Sequence, residues 1–488
     1  MANFKFEVDF FETAVTYVLN FDFFKGLFCG KADLGKDIPM LAITRLAIPS
    51  MGLFVFNSLL HLVDTIFVSR LGELQTAAMS FTAPINMCVF AMLECVASGS
   101  ISLMGRNLGR GDARSARHIA RSGLLLLYTV CCVSTPLVVP RFSNALFSGI
   151  GAGGSDALLD LCWRYNMWIP IMLPFMGYTY MANTIFRAQG DTLTPFKAIG
   201  MANAINIALD PLFIFTFGWG IAGAAIATFI SRIVSSYYLL RRMKKTSPIM
   251  IPPFIMPKRR LLSYWKPILW IGVPVGLSTA STALGMGSVN KILSAFGHRV
   301  VASWMLGLRV EELAFNFVSG INIALTPYIA FNYGKRDLDR MVKGFKAALL
   351  LAFAMMGAMG IVIYIWPHFF LSLFKPIPEI EAMASHSIRA SVPGYPFNIF
   401  LVLCSGFFVG TGYSLFGTIS QLLRSVVFRV SAAWLFVRIF PLSYVWWFQS
   451  IAFFLASFVS MSFFLYLFAR LRREFDVFPQ TSRLGHSK

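Results

Sequence analysis

The sequence predicts an all-α integral membrane protein, in which twelve transmembrane helices form two six-helix lobes related by a pseudo-twofold axis along the membrane normal. Its composition, the length of its apolar stretches and an internal repeat support this prediction. Of the 488 residues, 57% are hydrophobic and 13% are charged, whereas soluble domains carry about 25% charged residues. A water-soluble core has no use for so much apolar surface, so we expect the helices to face lipid.

The apolar stretches have the length that a membrane requires. Residues 124–140, 199–217 and 347–366 approach or reach the roughly 20 residues that cross a hydrocarbon layer of about 30 Å as a helix. Backbone amides cannot stay unpaired in lipid, and the alternation typical of a membrane β-barrel is missing, so these stretches are predicted helices. The twelve predicted spans are residues 40–69, 77–104, 118–140, 158–186, 194–217, 220–242, 264–292, 301–330, 342–366, 384–409, 415–439 and 444–470.

The chain repeats itself once. An N-x-G-x-x-D motif that begins at Asn107 recurs 225 residues later at Asn332, each time in a basic loop, and the same shift places Pro49 on Pro274. Six spans in each half make the two repeats parallel, with a substrate cavity between them near the midplane. The predicted units are an N-terminal cytoplasmic or interfacial segment (1–39), an N-lobe (40–242), a basic linker (243–263), a C-lobe (264–472) and a cytoplasmic tail (473–488).

Basic residues are concentrated in every second connection. The net charge is +20, and Lys and Arg cluster in residues 106–121, 241–260 and 335–343 but are nearly absent from 148–155 and 218–220. This positive-inside pattern predicts that both termini are cytoplasmic. We also expect the protein to lie in the plasma membrane, the inner membrane of a bacterium. We expect anionic lipid to be the partner of these charges, and no nucleic acid.

The sequence predicts no enzyme. Its seven cysteines show no metal-ligand spacing, and no set of nucleophile and base, and no metal motif, occurs outside the helices. We therefore expect no catalytic residue and no cofactor, and we expect the protein to be a monomer.

Two acidic residues lie within apolar stretches of the first half. Asp64 is in the first span and Asp210 is in the fifth. A charge at such depth costs about 2.5 to 3.5 kcal/mol on insertion scales, so it normally marks the route of an ion or a substrate. The alternative is that each carboxyl group is neutral or paired and only bridges two helices.

Further polar side chains accompany both acids. Asn57 and His61 share a helical stripe with the first acid, and Asn203 and Asn206 share one with the second. If the two stripes face each other, carboxylate and amide oxygens converge in one pocket. Such a pocket suits a hard cation, or a proton shared between the carboxyl groups. The sequence thus predicts a cation-coupling site, in which the His61 imidazole is a packing group or a proton relay.

Glu94 stands in the middle of the second span, without a charge partner nearby in the sequence. It is interpreted as a residue that attracts a cationic substrate, carries a proton, or pairs with a distant arginine such as Arg45. In the eighth span, Arg309 and Glu312 have the spacing of a local ion pair, which we expect to be structural. The weaker candidates for a substrate cavity or a proton relay are Asn57, His61, Glu94 and Asn203.

Several motifs of the chain together identify a known family. They are V-D-T-I-F-V at 63–68, F-R-A-Q-G-D-T at 186–192, N-I-A-L-D-P-L at 206–212 and G-W-G-I-A-G-A-A at 218–225. In combination they resemble the multidrug and toxic compound extrusion (MATE) family over about residues 40–472. The resemblance implies a twelve-helix antiporter that exports organic compounds, often cationic or amphiphilic, by alternating access while Na⁺ or H⁺ moves inward.

The resemblance also implies a set of site residues. In the branch of the family whose cation site lies in the N-lobe, side chains of the first, fourth, fifth and sixth helices form that site. The matching residues here are Asp64, Tyr165, Asn206, Asp210 and Thr228, of which Asp64, Asn206, Asp210 and Thr228 would hold Na⁺. Pro49 matches the first-helix proline that bends during the cycle. The other known arrangement uses acids of the seventh and tenth helices, but spans 264–292 and 384–409 contain no Asp or Glu.

Other functions stay open at this point. A lipid-linked oligosaccharide flippase of the same superfamily would need a more cationic cavity; the intramembrane acids argue against it, although Arg424 and Arg429 leave some room. A passive channel or a non-transporting receptor belongs to a different class, and only a transporter accumulates a compound against its gradient. His61 and Glu94 stand where the family is expected to carry uncharged residues, which leaves the coupling ion and the substrate charge open.

Overall fold

The computed structural model describes residues 30–149, 155–252 and 259–477. Helices make up almost all of these ranges, and no β-strand occurs within them; an isolated bridge joins Lys31 and Asp191. The prediction of an all-α protein is confirmed. Most of the two predicted terminal segments, residues 1–39 and 473–488, lies outside the described residues.

The helices of the first half follow the predicted spans. Those described are α1 Pro39–Ser69, α2 Glu73–Gly109, α3 Ala113–Ser134, α4 Pro140–Phe147, α5 Asp156–Asn166, α6 Trp168–Ala188, α7 Leu193–Pro211 and α8 Gly220–Thr246. A 3₁₀ turn, Thr135–Val138, continues α3, and a π-helical segment, Leu212–Thr216, continues α7. The short helix α4 lies between the third and fourth spans.

The second half repeats this order after a short helix in the linker. Its described helices are α9 Arg259–Leu262, α10 Trp265–Leu293, α11 His298–Lys335, α12 Leu338–Ile365, α13 Pro367–Ser372, α14 Pro378–Ser391, α15 Tyr395–Thr411, α16 Ser414–Leu422, α17 Arg429–Ile439, α18 Leu442–Val445 and α19 Phe448–Val477. A π-helical segment, Leu423–Phe428, joins α16 to α17.

Ten helices within the described ranges are long and apolar enough to cross a membrane. The fourth and eleventh spans are helical as well, but they are more polar and less regular. The fourth consists of α5 and α6, which Met167 separates, and the eleventh contains the π-helical segment with Arg424. All twelve predicted spans are therefore present as helix, in two lobes of six.

The two lobes begin their third span with the same turn. Asp112 accepts a hydrogen bond from the Ser115 N–H at 2.9 Å and caps α3, and Asp337 accepts one from the Arg340 N–H at 3.0 Å and caps α12. Such carboxylates satisfy backbone donors that the first helical turn leaves unpaired. The N-x-G-x-x-D repeat of the sequence is thus a repeat of structure. It lies at the end of the molecule that carries the basic loops, which we name the basic face.

The lobes pack closely at the basic face because the glycines of this motif have no side chain. A Cβ atom on Gly109 would overlap the carbonyl oxygen of Phe331, and one on Gly334 would overlap that of Arg106. The backbones of α2 and α11 therefore touch, as small residues allow in membrane helices. The Arg106 guanidinium covers the contact, 4.9 Å from the centroid of the Tyr333 ring.

Residues 30–37, the N-terminal strap, cross the basic face and bond to both lobes. The Ala32 N–H donates to the Gly190 carbonyl of the N-lobe at 2.9 Å. The guanidinium of Arg340, which belongs to the C-lobe, donates to the Asp37 carbonyl at 2.6 Å. The strap and the α2–α11 contact together hold the lobes against each other at this face.

Candidate functional site

Three of the predicted cation ligands lie together between α7 and α8. Asn206 and Asp210 are both 1% exposed. The Asn206 amide nitrogen donates to Asp210 Oδ1 at 3.2 Å and to Thr228 Oγ1 at 3.5 Å, and this hydroxyl donates to the Ala224 carbonyl at 3.1 Å. The fifth and sixth spans thus bring a carboxylate, an amide and a hydroxyl into one buried group.

This group has one acceptor to spare. Asn206 Oδ1 is buried and accepts no hydrogen bond within the part of the chain that the structure describes. Buried polar atoms are nearly always satisfied by a protein group, a water or an ion. An amide oxygen beside a carboxylate is therefore available to a cation or to a water molecule.

The stripe that includes Asn203 faces the first helix. The Asn203 amide nitrogen donates to Asn57 Oδ1 at 3.2 Å, which links α7 to α1. Asn203 is buried, and Asn57 is partly exposed. The remaining predicted members of the first stripe, His61 and Asp64, lie on the helical backbone of α1, but their side chains lie outside the described residues. Their place in the site stays a prediction.

The last two predicted residues lie at either end of this region. Tyr165 of α5 packs in an apolar cluster with Ile221 and Ala224, one turn before Thr228 on α8. Pro49 is buried inside α1, where a proline removes a backbone hydrogen bond and allows a helix to bend. Tyr165 therefore lies near the buried group.

A cavity of about 300 Å³ opens near this group; N-lobe helices form most of its wall, and Ile323 of α11 in the C-lobe completes it. Two of the predicted residues, Asn57 and Glu94, line it. Arg45, one of the partners considered for Glu94, is instead paired with Asp37 at 3.3 Å. Glu94 lies within electrostatic range of Arg187, which lines the same cavity.

Sequence reasoning did not single out the two arginines of this cavity, Arg187 and Arg232. Arg187 belongs to the F-R-A-Q-G-D-T motif that was read only as a family signature. Arg232 stands more than ten residues from either end of α8, and this depth in an apolar helix is the signal that could have found it. Tyr180 lies within electrostatic range of both arginines and of Glu94.

The C-lobe holds a different group of charged residues. Glu311 of α11 is 0% exposed and Arg429 of α17 is 5% exposed, and the two interact electrostatically. Arg429 Nε donates to Gln449 Oε1 at 2.7 Å, and its guanidinium lies 5.7 Å from the centroid of the Trp304 ring. Helices enclose this arginine, which the sequence left as a candidate for a cationic cavity.

Another predicted pair has the expected local geometry. Arg309 and Glu312, three residues apart on α11, form an ion pair at 3.6 Å with both side chains largely exposed. Exposed pairs of this kind contribute little to stability. The pair is structural at most, as its spacing predicted.

Comparison with known proteins finds relatives of nearly the whole chain. The MatE family model matches residues 49–212 and 274–435, two segments that begin 225 residues apart. The FAD transporter of Shewanella oneidensis is 30% identical to this chain over 359 residues, which are 70% of this chain and 76% of that protein. The probable multidrug resistance protein NorM of Thermotoga maritima is 26% identical over 424 residues, 83% of this chain and 88% of that protein.

A solved structure shows the same architecture. The outward-facing conformation of a multidrug resistance MATE family transporter of the MOP superfamily superimposes with a TM-score of 0.83 at 26% identity. The match covers 90% of this chain and 98% of that one. The similarity therefore extends over both lobes.

Proposed function

Because this chain belongs to the MatE family of membrane transporters, we propose that it is an antiporter that exports small organic compounds while Na⁺ or H⁺ moves inward. Coupling needs a site whose occupancy by the cation biases the protein between two states. The meeting of the α1 and α7 stripes carries this proposal. In this proposal the basic face and both termini are cytoplasmic, anionic lipid surrounds a monomer, and the membrane is the plasma membrane.

The two stripes run in the same direction and in register. At the basic face the Thr192 hydroxyl, before α7, donates to the Leu46 carbonyl of α1 at 3.0 Å. Eleven residues further along both helices, Asn203 donates to Asn57. Another seven residues along, α7 carries Asp210 and α1 carries the predicted acid of the first span. This register supports the proposal that both carboxyl groups lie at the same depth in one site.

The site in this proposal is made of oxygen ligands. Asp210, Asn206 and Thr228 supply a carboxylate, an amide oxygen and a hydroxyl, and Asp64 adds a second carboxylate. Hard cations prefer such ligands, and two neighbouring carboxyl groups also share a proton readily. Tyr165 closes the side of the site near Ala224. These ligands suit both Na⁺ and H⁺, so the coupling ion is identified by testing which imposed gradient drives transport.

The proposed cycle uses two arrangements of the N-lobe. Substrate leaves when the cation enters the site and α1 bends at Pro49, which reduces the space beside the stripes. Return to the other state releases the cation toward the basic face, after the strap and the α2–α11 contact have separated. A helix that already lacks one hydrogen bond at a proline bends at lower cost than an uninterrupted helix.

Purified protein in liposomes tests the proposal through substrate accumulation under an imposed Na⁺ gradient or an imposed pH gradient. We expect accumulation against the substrate gradient with one of the two gradients. Asp210→Asn and Asp64→Asn should each abolish this accumulation, because they remove a carboxylate from the site. The matched control is Asp339→Asn on α12, whose exposed carboxylate pairs with Lys343 at 2.7 Å.

Three outcomes would count against the proposal. If coupled accumulation is unchanged in both variants, the proposed coupling site is wrong. Movement of substrate only down its gradient identifies a passive channel, and accumulation that needs neither gradient excludes cation antiport. Relatives named as multidrug and FAD transporters support organic compounds as substrates. The sequence resemblance also implied that the compounds are often cationic. The charged side chains of the cavity bear on the charge of the substrate.

A further inference from the structure

The cavity beside the proposed coupling site has a positive wall. Among the described side chains, Glu94 of α2, Arg187 of α6 and Arg232 of α8 line it, and their formal charges sum to +1. Much of the remaining wall is apolar, with Phe54 and Phe90 among the larger side chains. Charges in a membrane interior are costly, and their presence in a cavity is a mark of ligand binding.

Two of these charged groups have no close partner among the residues that the structure describes. Within the described residues, neither Glu94 nor Arg187 belongs to an ion pair within 4.0 Å. Arg187 Nε is also buried and has no hydrogen-bond acceptor in that part of the chain. A buried N–H group normally has an acceptor, because a donor that is left without a hydrogen bond costs free energy. The cavity therefore offers a donor that a ligand can satisfy.

We propose that this cavity binds organic compounds that combine an apolar ring system with an acidic group, a carboxylate or a phosphate, held by Arg187 and Arg232. The inference rests on the proposed function, because it names the substrate class of that transporter. Guanidinium groups bind carboxylate and phosphate oxygens through paired donors. A monocation would raise the positive charge of the cavity, whereas a carboxylate cancels it and a phosphate, with a charge of about −1.5 to −2, reverses it slightly.

Glu94 gives the cavity a second pole. Its carboxylate lies within electrostatic range of Arg187 and Tyr180. It repels an acidic group placed near α2 and accepts a hydrogen bond from an N–H or O–H on the other end of the compound. A bound compound is thus oriented, with its acid toward the arginines and its donor toward α2.

The size of the cavity limits the compound. A volume of about 300 Å³ is at the lower end of the range for small-molecule sites. This space suits one fused ring system with a short acidic arm. FMN and riboflavin are a matched pair of probes for it, since they share a ring system and differ by one phosphate.

Equilibrium dialysis of the full-length protein in lipid nanodiscs, without any ion gradient, measures the affinities for FMN, riboflavin and the monocation tetraphenylphosphonium. We expect FMN to bind on the order of tenfold more tightly than riboflavin. Arg187→Gln and Arg232→Gln should each remove most of this preference with little effect on riboflavin. Glu94→Gln should tighten FMN binding, because a negative charge is removed from the wall.

Arg241→Gln is the control for these variants, since Arg241 is exposed on the same helix as Arg232 but outside the cavity. Thermal unfolding of each variant checks that it is folded. Equal affinity for FMN and riboflavin, including no binding of either, overturns the inference. Tighter binding of tetraphenylphosphonium than of FMN overturns it as well. If Asp210→Asn loses coupling but still prefers FMN, coupling has been lost separately from the cavity, and the inference stands. If coupled transport is intact but FMN is not preferred, the inference fails and the proposed coupling site stands.

Discussion

The two lobes share their turns but differ in how they treat charge inside the membrane. In the N-lobe, Glu94 and Arg187 line a cavity. In the C-lobe, Glu311 and Arg429 are enclosed by helices, and Arg429 bonds to Gln449. One copy of the repeat therefore places its charges on the wall of a cavity, whereas the other encloses them among packed helices.

The difference shows which parts of a duplicated fold can diverge. The N-x-G-x-x-D turns serve helix capping and close packing in both lobes, so the same residues are needed twice. The interiors carry no such common requirement.

The strongest test of this comparison removes one acid from each lobe. Glu311→Gln removes the buried carboxylate that interacts electrostatically with Arg429, and a buried charge left uncompensated costs about 3 kcal/mol or more. We expect a clear fall in the thermal unfolding temperature of the purified protein. Glu94→Gln is the matched control and should leave this temperature nearly unchanged, because its carboxylate lines a cavity. An equal effect of the two variants would contradict the division of roles.

A second test addresses what the lobes share. Gly109→Val and Gly334→Val each place side-chain atoms where a backbone carbonyl now lies. Overpacking of this kind costs typically about 1 to 3 kcal/mol, and it should separate α2 from α11. Reduced thermal stability and greater access of water-soluble reagents to the basic face are the expected results. Gly357→Val on α12 is the control, since a Cβ there meets open space.

The two glycine variants also report on symmetry. Because each glycine packs against the backbone of the opposite lobe, we expect effects of similar size. A severe effect at one glycine and none at the other would show that the α2–α11 contact is less symmetric than its sequence repeat.

The smallest expected effect concerns the caps. Hydrogen bonds from the Ser115 hydroxyl and N–H lower the pKa of Asp112 below its ordinary value of 3.8. Its capping contribution is therefore fully present above that value and is lost as the pH falls through the lowered pKa. Asp112→Ala should lower the unfolding temperature slightly at neutral pH, and less in acid. Asp112→Asn, which still caps but does not titrate, should show no such pH dependence.

Much of the fold followed from local patterns. Apolar stretches gave the spans, because lipid leaves the backbone few alternatives to helix, and the turn motif located the repeat. Helix ends were less well predicted: α11 continues to Lys335 and α8 to Thr246, beyond the predicted ends at 330 and 242. These ends lie where helices leave the apolar layer, and hydropathy no longer marks them there.

The sequence predicted which site residues share a face of one helix, but not which helices bring their residues together. Helical spacing put Asn206 and Asp210 on one stripe, where the structure has them bonded to each other. The cavity needed the tertiary structure, because Glu94, Arg187 and Arg232 come from three different helices. Nothing in the sequence states that α2, α6 and α8 turn these residues toward the same space.

The N-terminal strap connects the two lobes at the beginning of the described chain. In the proposed cycle, its hydrogen bonds to Gly190 of the N-lobe and Arg340 of the C-lobe break before the lobes separate at the basic face. A force applied to the chain before Gly30 would act on these hydrogen bonds first, before it reaches either lobe. In the proposed cycle, the time between successive openings of the basic face therefore depends partly on these strap contacts, which lie outside the substrate cavity.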